Sequence, residues 1–520
     1  MARAMLTVLT ALVALGTGFL WGCSSRPPAA AADAPAATTA AAPHPEQALL
    51  EDLTVANRIL ARELAILDIQ GHITARSKVN PNHYYIARFV SPGGASISDF
   101  IENDLDSKPV QGPRNDQARE IYLHGEIYKA RPDVMSVVHA HTPEFVAFGM
   151  SSVALWSGEN QLPVWDIRPF NKGRSGIVST PALGKAMAEK LGKSDAVLLW
   201  GHGIALGAPS LAEAITRVDE LRDSARMQEA AISMGTAWKP QPRVVTAGDS
   251  ERTWDYLKRV DLRSEGGKIP ASPAPTPAKP ADPDAAATLD LVLANRILAS
   301  EELGILDTFG HVSMRNPRNA SSYFIASGKI AGSVTTGDVV QRNLTEGAAD
   351  ANGLSIDDEV YKARPDVNAV LYARTPDVVA FTESLKLRPV VNGGAFIGEG
   401  LPVFNIGTLD PGKPLLSNPA LGQGVAAALG KRQGVLLTGH GFVLAGRSVY
   451  NLVDQAYQLR QNAKIQQQAV ALRGKVAYLN DRPVPPEPPQ TNQPAQPAQQ
   501  LGPPEGRAWV YWAQNISLED

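Results

Sequence analysis

Two stretches of the chain share one pattern and differ at the residues that carry chemistry. Residues 134–149 read VMSVVHAHTPEFVAFG, and residues 367–382 read VNAVLYARTPDVVAFT. In each, a short β-branched apolar run predicts a buried strand. The Thr-Pro pair that follows predicts a helix, with threonine as the N-cap and proline at the first helical position. The first stretch places His139 and His141 at the end of its strand, where the second has a tyrosine and an arginine.

These stretches belong to an internal repeat that runs in the same order through both halves of the chain. The segment LTVANRILARELAILDIQGHITAR, from Leu53, is repeated as LDLVLANRILASEELGILDTFGHVSMR, from Leu289. Later, VLLWGHGIALGAPSLAEAITRVDELRDSAR is repeated as VLLTGHGFVLAGRSVYNLVDQAYQLRQNAK. Together with the pair of stretches quoted first, these segments give three matches in one order, which predicts two copies of one fold. We place them at residues 47–264 (lobe 1) and 285–480 (lobe 2).

Within each copy, helical and strand patterns alternate. In lobe 1, ANRILARELAILD has apolar residues at helical spacing, whereas AVLLW is a short buried strand that ends in a Gly-His-Gly turn. Ser210 followed by Glu213 predicts a capping box at the start of a long helix. The expected fold class is therefore α/β, with tandem lobes that are each a central β-sheet covered by helices.

Segments rich in alanine and proline separate the lobes from each other and from the ends. Residues 24–46 contain too few large apolar side chains to pack, so we expect a flexible tether there. Residues 265–284 are a linker rich in proline and alanine, and its prolines stiffen it. Residues 481–520 form a tail rich in proline and glutamine with an aromatic end, RAWVYWAQNISLED. That end is either a disordered terminus or a segment that docks on a lobe or a partner.

Residues 1–23 have the layout of a bacterial export signal, with Arg3, an uncharged apolar stretch and small residues before Cys23. The LWGC segment resembles the lipobox of bacterial lipoproteins, in which the cysteine is lipidated and becomes the new N-terminus. We therefore expect a lipoprotein signal peptide, lipidation of Cys23, and lobes held in the periplasm by a membrane anchor. Ser24 favours the outer membrane. An ordinary cleaved signal or a single membrane-spanning anchor is the alternative.

The overall composition is that of a globular protein. The chain has 520 residues, of which 44% are hydrophobic and 19% are charged, and its formal net charge is −3 at pH 7. This length allows several domains with sizeable cores. The near-neutral charge gives no electrostatic reason to expect a nucleic-acid partner. With one cysteine in the chain, disulfides contribute nothing to the fold.

Three histidines and a glutamate of lobe 1 have the chemistry of a metal site. His139 and His141 are two residues apart on a strand, so their side chains leave the same face. His202 lies in a glycine-flanked turn after another strand, where the backbone can approach a ligand closely. Three neutral imidazoles with one open position describe a catalytic zinc site, although other divalent ions accept the same ligands. Glu120 and His124 share one face of the preceding helix, where a carboxylate beside a metal can transfer protons.

Taken together, these residues resemble the class II aldolase/adducin family. Its members carry a glutamate, a strand similar to RPDVMSVVHAH and a later turn similar to LLWGHG, and the three occur here in the same order. The segment GHITAR resembles a further family segment, and the resemblance covers nearly all of lobe 1 and the outline of lobe 2. It implies a divalent metal, zinc as the first choice, held by His139, His141 and His202. It also implies that Glu120 is the catalytic acid and base.

The resemblance further implies carbon–carbon bond chemistry. Active members cleave or form such a bond through a metal-stabilised enediolate, epimerise sugar phosphates, or decarboxylate. Sugar-phosphate aldolases of the family have a serine pair before the glutamate, but this chain has Ala118 and Arg119 there. The expected substrate is therefore a small, non-phosphorylated carbonyl or hydroxy compound. Arg119, His72 and His124 are candidate substrate-binding residues, and local packing is the alternative role for the two histidines.

Lobe 2 has lost most of this set. Tyr372 and Arg374 replace the strand histidines, Gly353 falls near the glutamate position, and His440 is what remains of the metal ligands. An arginine cannot release its proton to bind a metal, so lobe 2 is predicted to be a pseudo-enzyme copy. We expect it to pack against lobe 1 as a lobe–lobe pseudo-dimer, or the chains to form a homo-oligomer. The alternative is a separate binding or stabilising role.

Two functions from different classes follow from these observations. One is a metal-dependent aldehyde-lyase of the class II aldolase type, acting on a small-molecule carbonyl substrate, with decarboxylation or epimerisation as variants. The other is a non-catalytic binding or scaffold lipoprotein similar to the head of adducin. The complete set of Glu120, His139, His141 and His202 favours the enzyme, because a scaffold has no need of four matched polar groups.

Overall fold

A computed structural model describes most of the chain. The described residues are 44–111, 117–171, 176–236, 246–326, 329–344, 354–408, 419–481 and 505–518. The expected signal peptide with Cys23 lies outside these residues, as do nearly all of the tether and Gly353. Among the described helices, none is both long enough and apolar enough to span a membrane.

In the described part of lobe 1, a sheet of seven strands places the histidine strand at its centre. The strands of the lobe are β1 (His72–Arg76), β2 (His83–Ala87), β3 (Phe100–Asp104), β4 (Ser136–Ala140), β5 (Trp156–Ser157), β6 (Asn160–Gln161), β7 (Val164–Trp165), β8 (Ala196–Leu199) and β9 (Gly203–Ala208). Their order in the sheet is β3-β2-β1-β4-β9-β8-β7, with β5 and β6 forming a separate hairpin. All neighbours are antiparallel except β7 and β8. Because β4 is paired on both sides, its register and the directions of its side chains are fixed.

Helices cover both faces of this sheet. They are α1 (Gln47–Arg58), α2 (Ile121–Ala130), α3 (Pro143–Met150), α4 (Arg168–Asn171), α5 (Pro181–Leu191), α6 (Leu211–Ser233) and α7 (Ala247–Ser264). Apolar side chains of α1, α3 and α6 pack with Val138 of β4 on one face. Those of α2 and α5 pack with Val137 on the other face. Side chains alternate along a strand, so His139 shares the face of Val137 and points toward α2.

Lobe 2 repeats this arrangement strand for strand. Its elements are α8 (Pro283–Ala299), β10 (His311–Arg315), β11 (Ser322–Ala326), β12 (Val339–Asn343), α9 (Leu354–Ala363), β13 (Ala369–Ala373), α10 (Pro376–Val379), β14 (Val403–Phe404), α11 (Pro419–Leu429), β15 (Gly434–Leu437), β16 (Gly441–Gly446) and α12 (Val449–Ala471), followed in the tail by α13 (Arg507–Gln514). The strand order is β12-β11-β10-β13-β16-β15-β14. Tyr372 pairs with His311, as His139 pairs with His72 in lobe 1. The predicted α/β fold with two tandem lobes is thus confirmed.

The two lobes pack directly on each other. An apolar cluster at the junction contains Val146, Met150, Trp200, Val390 and Ile465. Backbone hydrogen bonds cross the same junction. The N–H of Ala477 donates to the carbonyl of Met150 at 3.1 Å, and the N–H of Ser152 donates to the carbonyl of Lys475 at 3.0 Å. Apolar burial stabilises the contact, and the hydrogen bonds fix how the lobes are aligned along it.

Two helix starts differ from the predicted capping. Thr142 is the N-cap residue of α3, but its side chain accepts no capping hydrogen bond. At α6, the hydroxyl of Ser210 accepts a hydrogen bond from the N–H of Glu213 at 3.1 Å. The Glu213 carboxylate, however, accepts from Arg217 at 2.6 Å. The reciprocal half of the predicted capping box is therefore absent, because an arginine one turn further along takes the carboxylate.

The aromatic end of the tail forms a helix that packs on lobe 2. Trp509 and Trp512 are buried within the main apolar core of that lobe. The ring of Trp509 lies 4.7 Å from that of Tyr450, edge to face, and the ring of Trp512 lies 5.5 Å from that of Tyr457. The indole N–H of Trp512 donates a hydrogen bond to Glu302 at 3.0 Å. Buried aromatic pairs with satisfied polar atoms are stabilising, so α13 is part of the folded protein.

A methyl group at Gly203 should disrupt the centre of the lobe 1 sheet. Gly203 begins β9, and a Cβ atom there would overlap the carbonyl oxygen of Ala140 on β4. The backbone must shift to relieve that overlap. We therefore expect Gly203→Ala to lower the free energy of unfolding by roughly 2 kcal/mol or more, measured by thermal unfolding. Gly248→Ala in α7, where a Cβ atom would make an ordinary contact with the Thr246 hydroxyl at 3.8 Å, is the control and should not lower the midpoint. Equal midpoints for both variants would contradict the close approach of β4 and β9.

Candidate metal centre

Four polar side chains of lobe 1 converge where β4 ends. His139 lies on β4, His141 follows it directly, and His202 lies in the turn between β8 and β9. Glu120 is the N-cap residue of α2. One ligand atom from each of these residues lies within 4.8 Å of the others. The structure thus brings together the three histidines and the glutamate that the sequence indicated, and we call them the metal cluster.

Hydrogen bonds at Nδ1 fix the rings of His139 and His141. The Nδ1 atom of His139 lies 2.9 Å from the carbonyl oxygen of Ile204. The Nδ1 atom of His141 lies 2.9 Å from a carboxylate oxygen of Asp68. A carbonyl and a carboxylate can only accept, so each Nδ1 carries the proton and donates it. The two Nε2 atoms therefore present lone pairs, which face each other at 3.0 Å.

The Glu120 carboxylate completes the metal cluster. Its Oε1 accepts a hydrogen bond from the backbone N–H of Val178 at 2.9 Å. Its Oε2 lies 3.2 Å from Nε2 of His139 and 3.3 Å from Nε2 of His202. Burial by itself would raise the pKa of this carboxyl, but His202 and His139 hold its pKa well below the usual range. Glu120 is therefore ionised, with one oxygen fixed and the other turned to the histidines.

Burial keeps most of the nearby imidazoles neutral. It lowers the pKa of His139, and together with neighbouring imidazoles it lowers the pKa values of His72 and His124 well below the usual range. Burial also opposes the charge of His141, but the carboxylate of Asp68 outweighs it and raises the pKa of His141. Likewise, burial would raise the pKa of Asp68, yet His141 and two backbone N–H groups keep it low. A proton and a metal ion therefore compete for the same nitrogen of His141.

These four side chains fit a divalent metal ion. Nitrogen and oxygen ligands lie about 2.0–2.2 Å from a zinc ion, so neighbouring ligands of a tetrahedral site lie roughly 3.3 Å apart. The cluster has separations of 3.0, 3.2 and 3.3 Å between such atoms. Imidazole nitrogens together with a carboxylate also suit zinc and other divalent transition metals. The metal cluster is therefore a candidate metal centre.

Behind the metal cluster, a chain of hydrogen bonds runs through buried side chains of β1 and α2. The Nε2 atom of His124 lies 2.8 Å from Nδ1 of His72, and its Nδ1 atom lies 2.9 Å from the hydroxyl of Thr74. Thr74 in turn lies 2.9 Å from the hydroxyl of Tyr128. His72 borders a cavity, whereas His124 is fully buried and does not. Of the two predicted substrate-binding histidines, His72 is thus in position to contact a substrate, and His124 orients the ring of His72.

The metal cluster lies against a cavity of about 460 Å³ that both lobes and the tail border. Lobe 2 contributes Glu302, Asn392, Tyr457 and Gln461, and α13 contributes Arg507. Arg119, the third predicted substrate-binding residue, lines the cavity from lobe 1 and is exposed. Lobe 1 by itself therefore does not enclose the space next to its metal cluster.

Two polar residues at this site were not indicated by the sequence. Asp68, which holds the second strand histidine, also accepts hydrogen bonds from the backbone N–H groups of Gln70 and Gly71. Its counterpart in the repeat, Asp307, makes the same turn contacts, so the local pattern is that of a turn residue. Arg507 reaches the cavity from the tail, far along the chain, where no local pattern connects it with the histidines.

The corresponding part of lobe 2 lacks most residues of the metal cluster. Tyr372 is fully buried at the position of His139, and Arg374 cannot release its proton to a metal. His311 makes an ion pair with Asp357 at 2.8 Å, where lobe 1 has two histidines. Within the described residues, no second group of three or more potential ligands comes together. This agrees with the prediction that lobe 2 is a degenerate copy.

Comparison with known proteins gives a family match in each lobe. The family described as class II aldolase and adducin N-terminal domain matches residues 51–229 and 290–467. A 3,4-dihydroxyphthalate decarboxylase of Arthrobacter keyseri is 31% identical over 211 residues, which cover 37% of this chain and 82% of that protein. The decarboxylase tropJ of Talaromyces stipitatus is 27% identical over 192 residues, 33% of this chain and 72% of that protein. A solved aldolase II superfamily protein from Pseudomonas syringae is 21% identical, with a TM-score of 0.36, over 42% of this chain and 93% of that chain.

The metal cluster should retain about one divalent ion per chain, and loss of His202 should abolish that retention. We expect full-length protein that is supplied with Zn²⁺ and then dialysed to keep about one ion, because three imidazoles suffice to hold a zinc ion with one open position. His202→Ala and the double variant His139→Ala/His141→Ala should keep far less. Elemental analysis measures the metal content.

The matched control for this prediction is His440→Ala. His440 is the counterpart of His202 in the repeat, but it belongs to the lobe without a metal cluster. This variant should retain as much zinc as the wild type. Equal loss in both single variants, or no zinc in the wild type, would contradict a metal centre in lobe 1.

Proposed function

The chain belongs to the class II aldolase and adducin family, which matches both of its lobes, and on this basis we propose that lobe 1 is a metal-dependent carbon–carbon lyase. The proposed substrate is a small, non-phosphorylated carbonyl or hydroxy compound. The observation that carries the proposal is the metal cluster, where three imidazoles and a carboxylate meet beside a cavity. Buried titratable groups cost free energy unless they are paired or bind a ligand, so a scaffold gains nothing from this arrangement.

The proposed metal ligands are His139, His141 and His202, each through Nε2, and zinc is the proposed ion. Such an ion supplies Lewis acidity toward the substrate oxygen on which negative charge develops. The hydrogen bonds from two of these rings to Ile204 and Asp68 select the tautomer that leaves Nε2 free. Lobe 1 thus has two of its three imidazoles oriented by its own backbone and side chains.

Glu120 is the proposed acid and base. Its Oε1 is held by the N–H of Val178, which leaves Oε2 as the atom that exchanges a proton with the substrate. In an aldol cleavage, Oε2 takes the proton of the substrate hydroxyl while the carbon–carbon bond breaks. The electron pair of that bond goes to the carbon next to the carbonyl, and Oε2 then returns the proton to this carbon. The carboxylate ends in its starting state.

His72 and Arg119 are the proposed contacts to the rest of the substrate. The ring of His72 is fixed by its hydrogen bond to His124, so it can meet a substrate oxygen without reorganising. Arg119 borders the same cavity and carries a charge suited to an anionic group. Ala118 stands where sugar-phosphate aldolases of the family have a hydroxyl, which supports a substrate without phosphate.

Decarboxylation is a second candidate, and the relatives favour it. Two relatives that match most of their own length are named as decarboxylases. In that reaction the bond to the carboxylate carbon breaks and carbon dioxide leaves. Glu120 takes the proton of a substrate hydroxyl and gives it to the carbon that keeps the electron pair, and the product oxygen regains a proton from water. The two candidates therefore use the same residues and differ in the bond that breaks.

Glu120→Gln should strongly reduce turnover and leave the metal content unchanged. Glutamine can still accept the hydrogen bond of Val178, but it cannot take up or return a proton. We expect kcat to fall by about 10²–10⁴-fold, the usual contribution of a general acid or base. The assay follows aldehyde release from β-hydroxy carbonyl compounds and carbon dioxide release from hydroxylated carboxylic acids, with zinc-loaded full-length protein.

Glu126→Gln is the control for this prediction. Glu126 lies on α2, the helix that Glu120 caps, but it pairs with Lys129 at 2.6 Å. Its loss should therefore not change kcat. A chelator should stop the reaction, and added zinc should restore it. If zinc-loaded wild-type protein acts on none of these compounds, the lyase proposal fails and the binding scaffold is favoured.

We also propose that Cys23 is lipidated and anchors the chain in the periplasm, at the outer membrane. The support is the sequence of residues 1–23, with its apolar stretch and its sole cysteine after small residues. In bacterial cells, Cys23→Ala should abolish incorporation of labelled palmitate and move the chain from the membrane fraction to the soluble fraction. Retention in the membrane without label would favour a membrane-spanning anchor instead.

A further inference from the structure

Arg507, the first residue of α13, places a guanidinium beside the metal cluster. Its Cζ lies 4.0 Å from the centroid of the Phe89 ring, a contact that orients the guanidinium plane. The backbone carbonyl of Arg507 accepts a hydrogen bond from the hydroxyl of Ser91 at 3.4 Å. These contacts are made to lobe 1, whereas Trp509 and Trp512 of the same helix pack on lobe 2. The tail thus carries this arginine to the cavity that both lobes border.

Arg507 makes no ion pair with any carboxylate in the described part of the chain. Burial lowers its pKa to about 10, so the guanidinium stays charged at neutral pH. The carboxylates of Asp68, Glu120 and Asp454 favour its charge from beyond ion-pair distance, and the charge of Arg119 opposes it. The Asp454 carboxylate is hydrogen-bonded to Gln458. A partly buried cation without a counter-ion carries a desolvation cost that a bound anion would offset.

The nearby carboxylates are committed to other groups. Asp68 accepts hydrogen bonds from His141 and from two backbone N–H groups. Glu120 accepts one from a backbone N–H and faces the histidines. Neither can turn to Arg507 without losing these contacts. The donors of Arg507 therefore remain for a ligand in the cavity, which a second cation, Arg119, also borders.

We propose that Arg507 is a substrate-binding residue that receives a carboxylate, and that the substrates of lobe 1 are carboxylated carbonyl or hydroxy compounds. The inference rests on the proposed function, which places the reacting carbon at the metal cluster. The planar fork of an arginine matches the two oxygens of a carboxylate. A cavity of about 460 Å³ is large enough for a small molecule that reaches both the metal cluster and Arg507.

The packing of α13 on lobe 2 fixes the position of Arg507 in the site. The helix lies beyond both regions that match the family, which end at residues 229 and 467. Trp512 is hydrogen-bonded to Glu302, and Tyr511 lies so close to Gly93 that a Cβ atom there would meet its ring. An arginine on an undocked tail would lose conformational entropy on binding a ligand. On the docked helix that loss has already occurred, which favours binding.

Binding of succinate and of its monoamide, succinamate, tests the inference. The two probes differ by one carboxylate, so the ratio of their dissociation constants reports recognition of that charge. In calorimetric titrations of zinc-supplied, full-length wild type, we expect succinate to bind at least about tenfold more tightly, the effect of one charge-assisted pair. Arg507→Gln should bring the ratio close to one. Arg507→Lys, which keeps the charge but loses the fork, should give an intermediate ratio.

Two further variants serve as controls. Arg374→Gln removes an arginine from the corresponding, degenerate part of lobe 2, and it should leave the wild-type ratio unchanged. Trp512→Ala removes contacts that seat α13, and it should lower the ratio as Arg507→Gln does. A wild-type ratio near one, no detectable binding of succinate, or an unchanged ratio in Arg507→Gln would overturn the inference. Stronger competition by inorganic phosphate than by succinate would overturn the assignment to carboxylates.

The zinc content of each sample separates this inference from the proposed function. Wild type and Arg507→Gln should retain equal zinc, because the arginine is not a metal ligand. If the wild type retains no zinc, the proposed function fails, but a preference for succinate that disappears in Arg507→Gln still supports the anion site. If zinc is retained and the ratio does not depend on Arg507, the anion site fails and the lyase proposal stands.

Discussion

Two hydrogen bonds on the outer side of the strand histidines decide what the cavity of lobe 1 can bind. They tie Nδ1 of His139 to the carbonyl of Ile204 and Nδ1 of His141 to the carboxylate of Asp68, so both Nε2 lone pairs point inward. The first partner belongs to β9 and is in place because β4 and β9 are paired. The second lies in the turn before β1. The geometry of the metal cluster is therefore set by strand pairing and by a turn, that is, by groups outside the cluster.

Lobe 2 shows that the sheet does not depend on these polar groups. It keeps the strand order and the pairing of β10 with β13, although the ligands are gone. The buried ring of Tyr372 occupies the place of an imidazole, and an ion pair between His311 and Asp357 replaces the contact between two histidines. The hydroxyl of Tyr372 is left without a hydrogen-bond partner among the described residues. The lobe tolerates this cost because its stability comes from close packing of apolar side chains on both faces of the sheet.

What could be predicted from the sequence depends on how far apart the interacting residues lie. The repeat, the α/β class and the convergence of the metal cluster follow from short patterns, since a strand, a turn and a helix start each position one part of it. Ser210 marks the limit of such patterns: its hydroxyl caps α6, but a nearby arginine takes the carboxylate that the capping box needs. Asp68 has the sequence pattern of a turn residue, and its contact with His141 arises from tertiary folding. Arg507 follows a proline-rich segment, so nothing local connects it with the cavity.

The border of the cavity gives the degenerate lobe a physical role. Side chains of α12, among them Tyr457 and Gln461, face the metal cluster of lobe 1 across the cavity. A wall that belongs to the same chain is present at any protein concentration, whereas a wall from another chain requires assembly. The guanidinium of Arg507 depends on the same lobe, because α13 is seated on Tyr450 and Glu302. Removal of lobe 2 would therefore take away both the wall and the cation, while every residue of the metal cluster stayed in the chain. Lobe 2 thus contributes to the site through the surface that it presents to the cavity. Its apolar core holds that surface in place, although its own polar groups have changed.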